Sequence, residues 1–180
     1  MNVAAAEITR CVLERDDKVR ILDADALNII AGEHIDYKGS REGQIIITPH
    51  IMEMSRLTGK TVADIKEHMI ESAKEYAIQH SCICILKDAR TVVTDGQKVY
   101  INCTGNDGMS TGGCGDVLTG LIAGMTAMGL DAFEAACLSV YVHGKAGDYA
   151  ASGKGRAGMT AADISEAIAY VPVSYTHLTL

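Results

Sequence analysis

Apolar residues fall along this chain in two alternating rhythms. Gln44-Ile45-Ile46-Ile47 and Ser81-Cys82-Ile83-Cys84-Ile85-Leu86 are short apolar runs. Such runs suit strands of a parallel sheet covered on both faces. Thr48-Pro49 stops the first of them. Val19-Arg20-Ile21-Leu22 predicts a shorter strand that ends at Asp23. Thr91-Val92-Val93-Thr94 and Val99-Tyr100-Ile101 flank Asp95-Gly96, a strong hairpin signal.

Between these runs the period lengthens to that of a helix. One helix is predicted over residues 25–31, closed by Gly32, and a short one over residues 53–57, ended near Gly59. Thr61-Val62-Ala63-Asp64 resembles a capping box. The recurrence of Val62, Ile65, Met69, Ala73, Tyr76 and Ala77 then predicts a single helix to about Gln79. A glycine-rich loop covers residues 102–115. Helical regions follow from Asp116 to about Met128 and from Asp131 to about Ala151, and Thr160-Ala161-Ala162-Asp163 caps a last one to about Tyr170. Strands alternating with helices imply an α/β domain, a mainly parallel sheet with helices packed on it. No repeat or linker divides residues 1–172, so one domain is expected there. Residues 173–180 fit no element and look like a translated sequencing adaptor, a non-native tail.

Composition narrows the functions available. The 180 residues are 48% hydrophobic and 22% charged, with no Trp and one Phe, so the core must be aliphatic. A net charge of −7 excludes a broad nucleic-acid surface. It leaves room for a nucleotide, whose phosphates backbone N–H groups can hold. No apolar run is long enough to span a bilayer, and the start lacks a signal-peptide pattern, so no membrane partner and a cytoplasmic location are expected. The six cysteines include no CxxC pair. They are expected to be reduced thiols, mostly buried, with no metal site among the side chains.

Candidate chemistry concentrates in Thr111-Gly112-Gly113-Cys114-Gly115-Asp116-Val117-Leu118-Thr119-Gly120. Glycines let the backbone turn its N–H groups toward a ligand. The helix that follows adds a partial positive charge for an anion. Asp116 stands where a carboxylate could take a proton from a hydroxyl. The same residues also suit an ordinary glycine turn with a capping aspartate. They form neither a P-loop nor a dinucleotide fingerprint.

Several motifs in order carry a resemblance. They are Ala24-Asp25-Ala26-Leu27-Asn28; Thr48-Pro49-His50 with Glu53-Met54 and Leu57-Thr58-Gly59; Leu86-Lys87 through Thr91-Val92-Val93; Thr104-Gly105-Asn106 with Gly108-Met109; the loop at residues 112–116; and Gly158-Met159-Thr160-Ala161 with Asp163-Ile164. Over nearly all of residues 10–170 the chain resembles the ADP-dependent NAD(P)H-hydrate dehydratase family, of the ribokinase-like superfamily. The resemblance implies a three-layer ribokinase-like fold that lacks its first strands. It implies a hydro-lyase that uses ADP, or ATP, with Mg²⁺ on the nucleotide to dehydrate the S epimer of NAD(P)H hydrate through a phosphorylated intermediate. Asp116 would be the catalytic base and would contact the hydrate together with His50. Lys87, Asp88, Ala89, Arg90, Thr91 and Gly115 would hold the adenine nucleotide. The N–H groups of Gly113, Cys114 and Gly115 would form an anion hole. Asn106 and Met109 would lie near the nucleotide, and His143 and Lys145 would serve the structure. A homo-oligomer is expected of the full-length form.

The chain departs from the family pattern in places. Ile51-Met52 replaces Pro-Gly after the Thr-Pro-His motif. Asp88 and Arg90 stand where glycines are usual, and Cys114 stands where Ser or Thr is frequent. The early Gly-Ala-Ala and Gly-Pro-Gly-Leu-Gly segments do not occur, so the chain is expected to carry the nucleotide half of the site and part of the hydrate half. Alone it should be marginally stable or prone to aggregate. Two other readings stay open: a ribokinase-like kinase of a small alcohol, such as a hydroxyethylthiazole kinase, and an inactive nucleotide-binding fragment.

Overall fold

A computed structural model describes residues 3–39 and 44–172. The expected tail at residues 173–180 lies outside the described residues. Eight α-helices and five strands follow in the order α1 (Val3–Glu14), β1 (Arg20–Leu22), α2 (Asp25–Gly32), β2 (Ile45–Ile47), α3 (Ile51–Thr58), α4 (Val62–Glu67), α5 (Met69–His80), β3 (Ile83–Leu86), β4 (Val92–Thr94), β5 (Val99–Ile101), α6 (Cys114–Ala127), α7 (Ala132–Lys154) and α8 (Ala161–Ala167). The strands form one sheet in the order β1-β2-β3-β4-β5. The pairings β1–β2 and β2–β3 are parallel. The pairings β3–β4 and β4–β5 are antiparallel. The sheet is therefore parallel in its first half, and the Asp95-Gly96 hairpin adds an antiparallel edge. Gly96 takes φ +97, and Asp95 Oδ1 accepts from the N–H groups of Gln97 and Lys98 at 2.8 and 2.7 Å.

By internal contacts the chain divides into two compact units, residues 1–88 with 92–101, and residues 89–91 with 102–180. The first unit holds the sheet. Ile45, Ile46 and Ile47 have no exposed surface, as expected of a strand covered on both faces. Leu22, Ile45, Ile47, Cys84, Leu86 and Val92 share a core with Leu27 and Ile30 of α2, Met54 of α3, Ile65 of α4, and Ala73, Tyr76 and Ala77 of α5. His80 stacks on both Tyr37 and Tyr76, whose hydroxyls meet at 3.2 Å. Burial among these rings raises the Tyr37 hydroxyl well above its ordinary range.

The second unit is helical. Asp131 caps α7 by accepting from Phe133 and Glu134 N–H, and Thr160 with Asp163 forms a full capping box on α8. Cys114, Ala146, Ala150, Met159, Ile164 and Ala167 make one of its cores. Among the described residues no helix is long and apolar enough to cross a membrane.

Several elements differ from the sequence expectation. The predicted helix from Val62 to Gln79 is two helices, because His68 leaves helical geometry at φ −127°, ψ 50°. The predicted closure at Gly32 shifts by a residue. Gly32 ends α2 inside the helix, Glu33 is the cap, and the left-handed residue is His34 at φ 51°. Helix α3 starts two residues early, because His50 caps it. Helix α1 carries no expectation at all. Two of the six cysteines, Cys11 and Cys103, are exposed, and all six are free thiols.

Candidate active site

The second unit carries the glycine-rich loop. Gly113 is the N-cap of α6 at φ +91°, and a Cβ there would sit 3.0 Å from the Cβ of Ala161. The positive φ favours glycine, and a Cβ would be tight against Ala161. Cys114 turns its thiol inward to the core, and burial raises that thiol's pKa. Gly112 and Gly113, just before it, are exposed. No side chain caps the helix. The first N–H groups of a helix have no partner inside it. The Cys114 N–H is engaged at 3.4 Å by Thr111 O. Gly115 and Asp116 follow in the first turn, and Asp116 is exposed. It is the third helical residue, not the cap. The loop is thus a helix start open to an anion, with a carboxylate beside it.

A second constellation holds the preceding loop. Asp148 on α7 accepts from the Gly105 N–H at 3.0 Å and from Asn106 Nδ2 at 3.1 Å. Asn106 Oδ1 in turn accepts from the Gly108 N–H at 3.1 Å, which caps a 3-10 turn at Asp107–Met109. Thr104 donates to Tyr141 O at 3.1 Å and sits against Gly144, where a Cβ would strike the Thr104 backbone and hydroxyl. In the expected nucleotide segment, Arg90 donates to Cys103 Sγ at 3.2 Å and Thr91 O accepts from the Asn102 N–H at 2.9 Å. The expected structural residues His143 and Lys145 both lie on α7.

The first unit gathers its expected residues at the carboxyl ends of β1, β2 and β3. His50 and Lys87 form a parallel bridge, and the Lys87 N–H donates to Pro49 O at 2.8 Å. Lys87 Nζ lies 2.9 Å from Asp23 Oδ1, with side chains 23% and 13% exposed. Lys87 is therefore a partnered, half-buried cation and not a loose surface lysine. Burial works to raise the Asp23 pKa, but the Lys87 charge and hydrogen bonds from Lys87, Thr48 and the Ala24 backbone outweigh it and leave it lowered. The next residue, Ala24, takes φ +50°, a strained conformation for a residue with a Cβ. Asp88 is exposed on the bend after Lys87.

His50 is the N-cap of α3. Its Nδ1 accepts from the N–H groups of Met52 and Glu53, and Glu53 accepts from the His50 N–H. Asp23 and Glu53 are the polar residues here to which sequence reasoning gave no site role. The spacing of His50 and Glu53, that of a cap and its reciprocal acid, is the signal for Glu53. Asp23 meets Lys87 only through the fold.

Comparison with known proteins fits this geometry. The model of the family described as NAD(P)H-hydrate dehydratase matches residues 1–170. A bifunctional NAD(P)H-hydrate repair enzyme from Moorella thermoacetica is 45% identical over 170 residues, 93% of this chain and 32% of the relative. An ADP-dependent (S)-NAD(P)H-hydrate dehydratase from Neisseria meningitidis is 34% identical over 170 residues, 92% of this chain and 57% of the relative. The solved structure of an ADP/ATP-dependent NAD(P)H-hydrate dehydratase from Bacillus subtilis, co-crystallised with ATP and Mg²⁺ and soaked with CoA, superposes with a TM-score of 0.78 at 31% identity, covering 93% of this chain and 59% of that one. The chain thus spans about a third to three fifths of the length of these proteins. With the family matched across both units, the chain belongs to the NAD(P)H-hydrate dehydratase family.

Proposed function

We propose that this chain carries catalytic and binding residues for the ADP-dependent dehydration of the S epimer of NAD(P)H hydrate. The observation that carries the reading is the uncapped start of α6, where glycine amides and the Asp116 carboxylate stand together. Hydroxide is a poor leaving group and phosphate a good one. Asp116 takes the proton of the substrate hydroxyl as its oxygen attacks the terminal phosphoryl of ADP. The N–H groups of Gly113, Cys114 and Gly115 stabilise the charge on the transferred group, the Cys114 N–H giving up its long 3.4 Å contact with Thr111 O to do so. Phosphate then leaves, the neighbouring carbon gives up a proton and the ring double bond returns. The sum is hydrate plus ADP giving NAD(P)H, AMP and phosphate, and ATP would serve in the same way.

Lys87, Asp88, Ala89, Arg90, Thr91 and Gly115 are assigned to the nucleotide, and His50 and Asp116 to the hydrate. Lys87 supplies a cation and Arg90 offsets the negative charge of Asp88. Among the described residues no three His, Cys, Asp or Glu side chains gather to hold a metal. Mg²⁺ is assigned to the nucleotide phosphates, where it needs few ligands from the chain. The family resemblance extends the proposal to a homo-oligomer of the full-length form and to the cytoplasm.

The test is recovery of reduced-nicotinamide absorbance from NADPH hydrate with Mg²⁺ and either ADP or ATP. Nucleotide-dependent recovery is expected, and Asp116→Asn should lower it by about 10²–10⁴-fold while nucleotide binding persists. A stable phosphomonoester product with no recovery of absorbance would instead make the chain a small-alcohol kinase. No turnover, even in the full-length form, would refute the dehydratase reading.

A further inference from the structure

Glu53 makes two separate approaches to one residue. Its side chain is 5% exposed, at the first turn of α3. Oε2 accepts from the His50 N–H at 2.8 Å. Oε1 lies 3.4 Å from His50 Nε2. On the other side of the ring, Nδ1 accepts from the N–H groups of Met52 and Glu53, each at 3.1 Å. A ring nitrogen that accepts from two amides bears no hydrogen, so the ring hydrogen sits on Nε2. Hydrogen on both nitrogens would set a donor against two donors and undo the cap. The Oε1 contact is longer than an ordinary N–H···O bond. It is an ion-pair distance, with no hydrogen bond between the two atoms, and it leaves the carboxylate charge near Nε2. The ring is 50% exposed, so that hydrogen is open to a better-placed acceptor.

We propose that Glu53 is a positioning residue which, together with the α3 cap, holds His50 in its Nε2–H tautomer, so that His50 acts on the hydrated dinucleotide as a hydrogen-bond donor. Helix capping alone needs only Nδ1 and a rotamer. The buried carboxylate adds a second constraint, because it holds the His50 N–H and sets its charge 3.4 Å from the nitrogen that capping leaves unused. The reading of His50 as a hydrate contact, made above, supplies the identity of the acceptor; the tautomer stands on the hydrogen bonds alone.

The experiment has two arms. In the nitrogen-15-labelled full chain without ligand, a long-range proton–nitrogen correlation spectrum should show His50 protonated at Nε2 and bare at Nδ1. Glu53→Gln places an amide NH₂ opposite Nε2–H, so the spectrum should move to mixed tautomers. Its kcat/KM for the hydrate should fall on the order of tenfold while the nucleotide KM holds. His50→Asn keeps a good capping oxygen but removes the Nε2 donor. It should melt like the native chain and lose hydrate kcat/KM to a similar degree. A native ring hydrogenated at Nδ1 overturns the proposal. So does Glu53→Gln with native tautomer and kinetics, or His50→Asn with native kinetics. Absence of turnover even in the full-length form would count against the dehydratase reading, and the spectra would still decide the role of Glu53.

Discussion

At the scale of the residue, the Lys87–Asp23 pair has the most to tell. Both side chains are largely withdrawn from water, and they meet at 2.9 Å from the ends of different strands. Removing one partner of such a pair strands the other, which costs about 3 kcal/mol, the low end for buried pairs because both groups keep some exposure. The Asp23 carboxyl has its pKa lowered in the fold. Its stabilisation is therefore complete above the unfolded carboxylate value of about 3.9 and is lost as pH falls through the folded value. Asp23→Asn should lower the melting temperature at neutral pH. The gap to the native chain should close as pH falls through the lowered value of the folded Asp23 carboxyl. A gap that stayed constant with pH would mean that packing, and not the ion pair, holds the site. Asp23 was visible in the sequence as the end of a strand, but Lys87 lies 64 positions away, and only the parallel register of β1, β2 and β3 brings it to Asp23.

Between neighbouring elements, the glycines of α7 decide how the loop before α6 is held. A helical glycine replaced by alanine normally gains about 1 kcal/mol from propensity. At Gly144 the new Cβ would meet the Thr104 backbone, which cannot rotate away. At Gly147 the nearest atoms it would meet belong to the Met109 side chain, which can yield more easily than backbone. Gly144→Ala should therefore destabilise by about 1–3 kcal/mol, whereas Gly147→Ala should be close to neutral. Thermal melts of the two variants check the contrast.

Element boundaries also show what the sequence could and could not say. The isoleucine run of β2 and the Asp95-Gly96 hairpin were legible because their signals are local. The start of α3 was not, because histidine is not among the usual capping residues, although Glu53 at the third position completes the box. The start of α6 was misplaced to Asp116 because a glycine cap has no side chain to announce it. The break at His68 was hidden because the apolar stripe from Ile65 to Ala73, both fully buried, runs on through it. Helix α1 was missed because it exposes Val3 and Ile8, and among its described residues buries only Ala6 and Thr9. The loop with Asp116, and His50 and Lys87, were readable as candidates. The ion pair and the ring tautomer were not, since each depends on contacts made in space.

For the whole molecule, the acidic balance sets what it can associate with. Lys and Arg number 16 against 23 Asp and Glu. The chain should pass through a heparin column at physiological ionic strength, while a mononucleotide still binds, because one phosphate group needs local N–H donors and not a cationic face. Retention on heparin would point to an unrecognised polyanion surface.

The aliphatic core has a further result for anyone watching this protein in solution. With no tryptophan, ultraviolet emission and near-ultraviolet dichroism come from seven tyrosines and one phenylalanine. Tyr37 and Tyr76 are locked against His80 inside the first unit, whereas Tyr149 and Tyr170 stack at the surface of the second. The dichroic band of rigid rings is thus chiefly a signal of the sheet-bearing unit, and its loss on heating would time the melting of that unit by colour alone. A reduced nicotinamide product would then glow against an optically quiet background, free of tryptophan emission.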